Sequence, residues 1–119
     1  MRPPAPGERL CALDDLRDPG ARGFAFPAEA GEEDDRPFRG FVLRRGGEVR
    51  GFVDSCPHVG APLSDDPDRY LTRRGDYVVC WNHGALFRPE DGVCVAGPCV
   101  GRALRPWAVA VRDGEVVTA

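Results

Sequence analysis

Cys56-Pro57-His58-Val59-Gly60-Ala61 and Cys80-Trp81-Asn82-His83-Gly84-Ala85 are the stretches on which the reading of this chain turns. They hold its 2 histidines, and each histidine follows one of the 5 cysteines by two or three positions. Random scatter rarely gives such pairing. Each pair sits where an expected strand ends and a loop opens, with a glycine soon after the histidine. Glycine lets a backbone turn sharply and approach a metal centre closely. Two loops at the same end of a β-sandwich would gather two thiolates and two imidazoles. Such a donor set suits either tetrahedral zinc or a two-iron cluster, and ligand count alone leaves both open.

Around these loops, short apolar runs alternate with turn formers. Phe38 to Arg45 and Glu48 to Asp54 flank Gly46-Gly47, a two-residue hairpin signature. Trp107 to Arg112 and Glu115 to Thr118 flank Asp113-Gly114 in the same way. Leu86 to Arg88 and Gly92 to Val95 flank a turn at Pro89-Glu90-Asp91, and Tyr77-Val78-Val79 is a short apolar strand. Glu8 to Leu13 and Arg22 to Phe26 add two strands, joined through the polar turn Asp14 to Gly20. No window shows helical periodicity. The 15 glycines and 12 prolines also argue against a helical bundle. The expectation is an all-β fold with two long interruptions, Ser55 to Asp76 and Cys80 to about Ala85.

The chain has 119 residues, the size of one domain, with Met1 to Gly7 read as a frayed tail and Glu29 to Asp35 as a solvated acidic loop. Hydrophobic residues at 42% and charged residues at 29% exclude a disordered chain. All 16 basic residues are arginine, and the formal net charge of -3 offers no electrostatic footprint for nucleic acid or anionic membrane. No apolar run approaches a membrane helix, and the N-terminus lacks the apolar centre of a signal peptide. The expected location is the cytoplasm, where five cysteines fit metal ligation better than a disulfide framework.

C-x-H followed by C-x-x-H, with glycine after each histidine, resembles the two cluster-binding boxes of Rieske proteins. The likeness continues through His83-Gly84-Ala85-Leu86-Phe87, the turn at Pro89 to Gly92, Gly97-Pro98 and Leu104, and spans about residues 8 to 118. It implies an antiparallel β-sandwich or barrel carrying a cluster-binding subdomain, about residues 54–99, built from two loops. It further implies one [2Fe–2S] cluster, with Cys56 and Cys80 on one iron, His58 and His83 on the other, and Gly97-Pro98 covering a third side. Two thiolates cancel the core's two positive charges, so reduction leaves one net negative charge. All-cysteine ligation would leave three, which is harder to hold in a partly buried place.

By the same resemblance the chain is a soluble Rieske-type ferredoxin, an electron carrier rather than an enzyme. It would be monomeric and meet a ferredoxin reductase and a terminal oxygenase or similar acceptor only transiently. A small Rieske-like subunit of a larger oxidoreductase, such as a nitrite reductase, is the alternative. A zinc-stabilised binding module is the reading from another class. No glycine fingerprint for a nucleotide is present, so electrons would come from another protein.

Some residues stand apart. The respiratory branch of the family carries a further cysteine in each box, joined as a disulfide, where this chain has Ala61 and Asn82. It also carries serine and tyrosine hydroxyls that donate to cluster or ligand sulfur, where this chain has Ala85 and Phe87. Twenty-one residues separate His58 from Cys80, more than in ferredoxin-like members, with the extra length in the polar stretch Asp65 to Asp76. Cys94 and Cys99 flank the proline loop and read as buried thiols, as a local disulfide, or with Cys99 against the cluster. Cys11 and Trp107 lie on expected strands in the core. Trp81 reads as cover for the site or as a docking contact, and Arg69, Arg73 and Arg74 as part of a solvated loop. Loss of the two hydroxyl donors disfavours the reduced state. The expected reduction potential, measured by EPR-monitored titration, therefore lies in the lower part of the Rieske range. A value as high as in respiratory subunits would contradict this.

Overall fold

Gly46 and Gly47 take φ values of 61° and 85°, the left-handed backbone that a two-residue hairpin loop demands. They join strand β3 (Phe38–Arg45) to β4 (Glu48–Val53), with Arg45 opposite Glu48. The Asp18 carboxylate accepts both glycine N–H groups, at 2.8 and 3.2 Å, and fixes the turn. Asp113 and Gly114, with φ of 51° and 75°, do the same between β8 (Val109–Arg112) and β9 (Glu115–Thr118).

The computed structural model describes residues 2–28, 31 and 36–119, so most of the acidic stretch Glu29 to Asp35 lies outside the described residues. The remaining strands are β1 (Arg9–Ala12), β2 (Gly20–Phe26), β5 (Val78–Val79), β6 (Leu86–Phe87) and β7 (Cys94–Ala96). Apart from one turn of 3₁₀ helix at Leu13–Asp15, the described residues form no helix. Three antiparallel sheets result, ordered β1-β9-β8, β2-β3-β4 and β5-β6-β7.

The middle sheet has a core on each face, and β3 shows why. Phe38 and Val42 pack with Cys11, Leu16, Val53, Trp107 and Val116. Phe41 and Leu43 point the other way, into a core shared with Phe52, Leu63, Val78, Phe87 and Leu104. A strand buried on both faces reads as a continuous apolar run instead of an alternating one. Sheets β2-β3-β4 and β1-β9-β8 are stitched together by residues 105–107. The Val53 N–H donates to the Arg105 carbonyl at 2.8 Å, and the Trp107 N–H to the Gly51 carbonyl at 2.9 Å. Trp107 then meets Phe24, Phe26 and Phe38 edge to face, the nearest with ring centroids 5.1 Å apart.

Two segments are held more firmly than the sequence suggests. The N-terminal segment lies along β9. The Gly7 N–H donates to the Thr118 carbonyl at 2.7 Å, and the Thr118 hydroxyl donates to the Ala5 carbonyl at 2.7 Å. The stretch Asp65 to Asp76 is not wholly an exposed excursion. Its Tyr70 is buried and stacks on Phe41 with centroids 4.4 Å apart. The Tyr70 carbonyl accepts from the Val79 N–H at 2.8 Å, and the Pro67 carbonyl accepts from the edge-strand Gly23 at 2.5 Å. A tyrosine can bury a large apolar ring while its hydroxyl finds a partner, so one side chain anchors a polar loop.

A Cβ on Gly40 would run into the Trp107 indole. Gly40→Ala is therefore expected to lower the unfolding free energy by about 1–3 kcal/mol, read as a lower urea midpoint. An unchanged midpoint would show that Trp107 has room to retreat.

Candidate metal centre

One local device builds both boxes. The Cys56 N–H donates to the Ala61 carbonyl at 2.8 Å, and the Gly60 N–H returns to the Cys56 carbonyl at 2.7 Å. In the second box the Cys80 N–H donates to Ala85 at 2.9 Å, and the Gly84 N–H returns to Cys80 at 2.8 Å. Gly60 and Gly84 close these turns with φ of 76° and 73°, a conformation that glycine adopts without steric cost. The same frame thus forms around C-x-H and C-x-x-H alike.

The two loops bring the four residues singled out in the sequence into two pairs. Cys56 and Cys80 are both fully buried, and their sulfurs are within hydrogen-bonding reach of each other. His58 and His83 are exposed, with ring centroids 4.9 Å apart and planes at 87°. Two thiols in the interior and two imidazoles at the surface match two metals with two protein ligands each. Burial pushes the Cys80 thiol pKa up, while the N–H groups of Asn82 and His83 aimed at its sulfur pull it down. A bound cation would overcome that burial, since coordination deprotonates a thiol.

Neighbouring residues lock the loops. Asp54, only 5% exposed, accepts the Leu63 N–H on Oδ1 at 2.7 Å and the Tyr70 hydroxyl on Oδ2 at 2.8 Å. Burial raises the Asp54 pKa above the usual carboxylate value, partly offset by these two donors and by Arg39. Burial and the adjacent Asp54 likewise push the Tyr70 phenol up, so it stays a donor. The Leu63 carbonyl accepts the Trp81 N–H at 2.8 Å, and the Asn82 side-chain amide donates to the Pro62 carbonyl at 3.0 Å. Asp54, Leu63 and Tyr70 escaped the sequence reading. Their one signal was a carboxylate closing the expected strand Glu48 to Asp54.

The proline loop packs closely against the end of the second box. Gly97 has a φ of 97°, and a Cβ there would stand 2.8 Å from the Ala85 Cα. Arg102 ties this loop to the first box by donating to the Pro57 carbonyl at 3.0 Å. Cys94 and Cys99 are buried free thiols with sulfurs 3.3 Å apart. Burial, reinforced by Cys94 and Cys56, pushes the Cys99 pKa up to about 12. Trp81 is 43% exposed, with the Arg69 guanidinium 4.2 Å over its ring.

Residues 9–113 match the Rieske [2Fe-2S] domain family. This chain belongs to that family. No curated protein sequence is a significant match. Solved structures are. A chain in the complex of reduced oxygenase and oxidized ferredoxin in carbazole 1,9a-dioxygenase is 27% identical, with a TM-score of 0.68 over 93% of this chain and 90% of that one. The Sphingomonas yanoikuyae B1 ferredoxin is 25% identical, with a TM-score of 0.65 over 94% and 96%. The ferredoxin of carbazole 1,9a-dioxygenase from Nocardioides aromaticivorans IC177 shares the fold at 23% identity and a TM-score of 0.68, over 97% and 98%. The cofactor of the Rieske domain is a [2Fe–2S] cluster, and the buried sulfur pair, the surface imidazole pair and the amides facing Cys80 fit it.

Tyr70→Phe deprives a buried carboxylate oxygen of its donor. The variant should lose about 1–3 kcal/mol of unfolding free energy, measured by urea denaturation. Full stability would mean that water replaces the phenol.

Proposed function

We propose that Cys56 and Cys80 hold one iron of the cluster as thiolates, and that His58 and His83 hold the other through imidazole nitrogen. The observation that carries this is the separation of the four donors into a buried sulfur pair and an exposed imidazole pair with centroids 4.9 Å apart. When bound, the cluster accepts and gives up one electron at a time. The chain's own residues do the rest. The buried cysteines keep water from the sulfurs, and the Asn82 and His83 amides stabilise negative charge on Cys80. The exposed histidine edges bring the electron's exit to the surface.

On this reading the chain is a Rieske-type ferredoxin that carries single electrons from a reductase to a terminal oxygenase or similar acceptor. The likeness to a chain of an oxygenase–ferredoxin complex, matched over nearly its whole length, supports the acceptor class. A carrier must dissociate after each transfer, so both contacts are brief; the carrier itself acts as a monomer. The 119 residues form one domain whose cluster-binding region runs from about 54 to 99. No helix among the described residues is long and apolar enough to cross a membrane. The reading places the protein in the cytoplasm, with its redox partners.

Anaerobically purified protein should contain about two irons and two acid-labile sulfides per chain. It should also show the anisotropic reduced EPR signal of a histidine-ligated cluster. Cys80→Ser should lose iron, sulfide and colour together. Zinc without sulfide, even after attempted reconstitution, would overturn the carrier reading, and a Cys80→Ser protein that kept its cluster would overturn the ligand assignment.

A further inference from the structure

We infer that Cys99 is a positioning residue that acts through Cys56, its thiol donating a hydrogen bond to the Cys56 sulfur and so favouring the reduced state. The inference rests on the ligand assignment proposed above.

The Cys99 thiol is placed to donate to the Cys94 sulfur, and Cys56 is its second possible acceptor. Cys94 and Cys99 are buried with their sulfurs 3.3 Å apart, and the Cys99 thiol is also within hydrogen-bonding reach of Cys56. A thiol has one proton to donate. The Cys94 sulfur donates its proton to the Ala96 carbonyl at 3.2 Å, so Cys94 stands beside Cys99 as an acceptor. Cys99 therefore chooses between the neutral sulfur of Cys94 and the sulfur of Cys56. Once Cys56 is a thiolate, the charge-assisted bond is the stronger of the two. With all three cysteines buried, little water competes.

The backbone holds Cys99 at this point. Its carbonyl accepts the Arg102 N–H at 2.9 Å, and Arg102 also grips the first box through Pro57. The need for a donor is visible in the residues around it. Ala85 and Phe87, buried in the same core as Cys99, carry no group that could donate. The hydrogen bond stabilises the extra negative charge of the reduced state, and the proton stays on the Cys99 sulfur throughout.

The test is the midpoint potential of the loaded protein, by EPR-monitored redox titration, in wild type, Cys99→Ala, Cys99→Val and Cys99→Ser. The two apolar variants should disfavour reduction threefold to tenfold, tenfold being about 59 mV for a one-electron couple. Cys99→Ser, which keeps a donor, should stay within about twofold of wild type. Cys99→Val, larger and equally unable to donate, serves as the second apolar variant if Cys99→Ala fails to load. Pulsed EPR of reduced wild type should show an exchangeable proton coupling that Cys99→Ser retains and the loaded apolar variant loses.

Unmoved potentials in the apolar variants would overturn the inference, as would an equal drop in Cys99→Ser. So would a Cys94–Cys99 disulfide found by mass spectrometry in the active protein, since Cys99 would then have no proton. A wild type without the histidine-ligated EPR signal would defeat the ligand assignment itself, whereas an intact signal with an unmoved potential would defeat only the role of Cys99.

Discussion

The Asp54 carboxylate stands two residues before Cys56, almost out of reach of water, and the architecture above it depends on its two oxygens. One takes the Leu63 backbone and so fixes the return of the first box. The other takes the Tyr70 hydroxyl and so fixes the long segment before β5. Leu63 in turn receives Trp81, at the start of the second box. A buried charge is costly unless its hydrogen-bonding capacity is met. The cost of misplacing either partner makes this arrangement specific, because a loop that strays leaves a carboxylate oxygen bare.

The two cysteines are buried and the two histidines exposed, an arrangement that solvation favours for the roles proposed above. Sulfur ligands gain from a dry setting, where amide dipoles act at full strength. Imidazole ligands tolerate water and leave a short path to a visiting protein. Within the two boxes, Val59 and Trp81 are exposed, and Arg69 is laid over the Trp81 ring. Such a surface gives a partner some apolar area to bury without building the large face that a permanent complex would require.

Much of this was legible in the sequence because it is written locally. Gly46-Gly47 and Asp113-Gly114 specify their hairpins through backbone conformation alone, and both formed as read. The C-x-H and C-x-x-H boxes carry their chemistry and their turn glycines within six residues each. What escaped was tertiary. Tyr70 and Asp54 are 16 positions apart and meet only after folding, so the polar stretch around Tyr70 looked like surface. The two faces of β3 were hidden because burial on both sides erases the alternation that marks a strand. Cys94 and Cys99 could be placed at the proline loop, with Cys99 against the cluster as one of three readings, but the sequence alone could not choose among them.

The bond from Asn82 to the Pro62 carbonyl links the two boxes beside Ala61, the other position at which the respiratory branch of the family carries a bridging cysteine. A hydrogen bond there needs no oxidant to form and no isomerase to correct it. It is indifferent to the thiol–disulfide balance around the protein, so strong reductant would leave the latch closed. It is also weaker, worth about 1 kcal/mol where a disulfide typically contributes about 2–4. The link between the boxes is thus shared with the Trp81 N–H bond to the Leu63 carbonyl and does not rest on one covalent bridge.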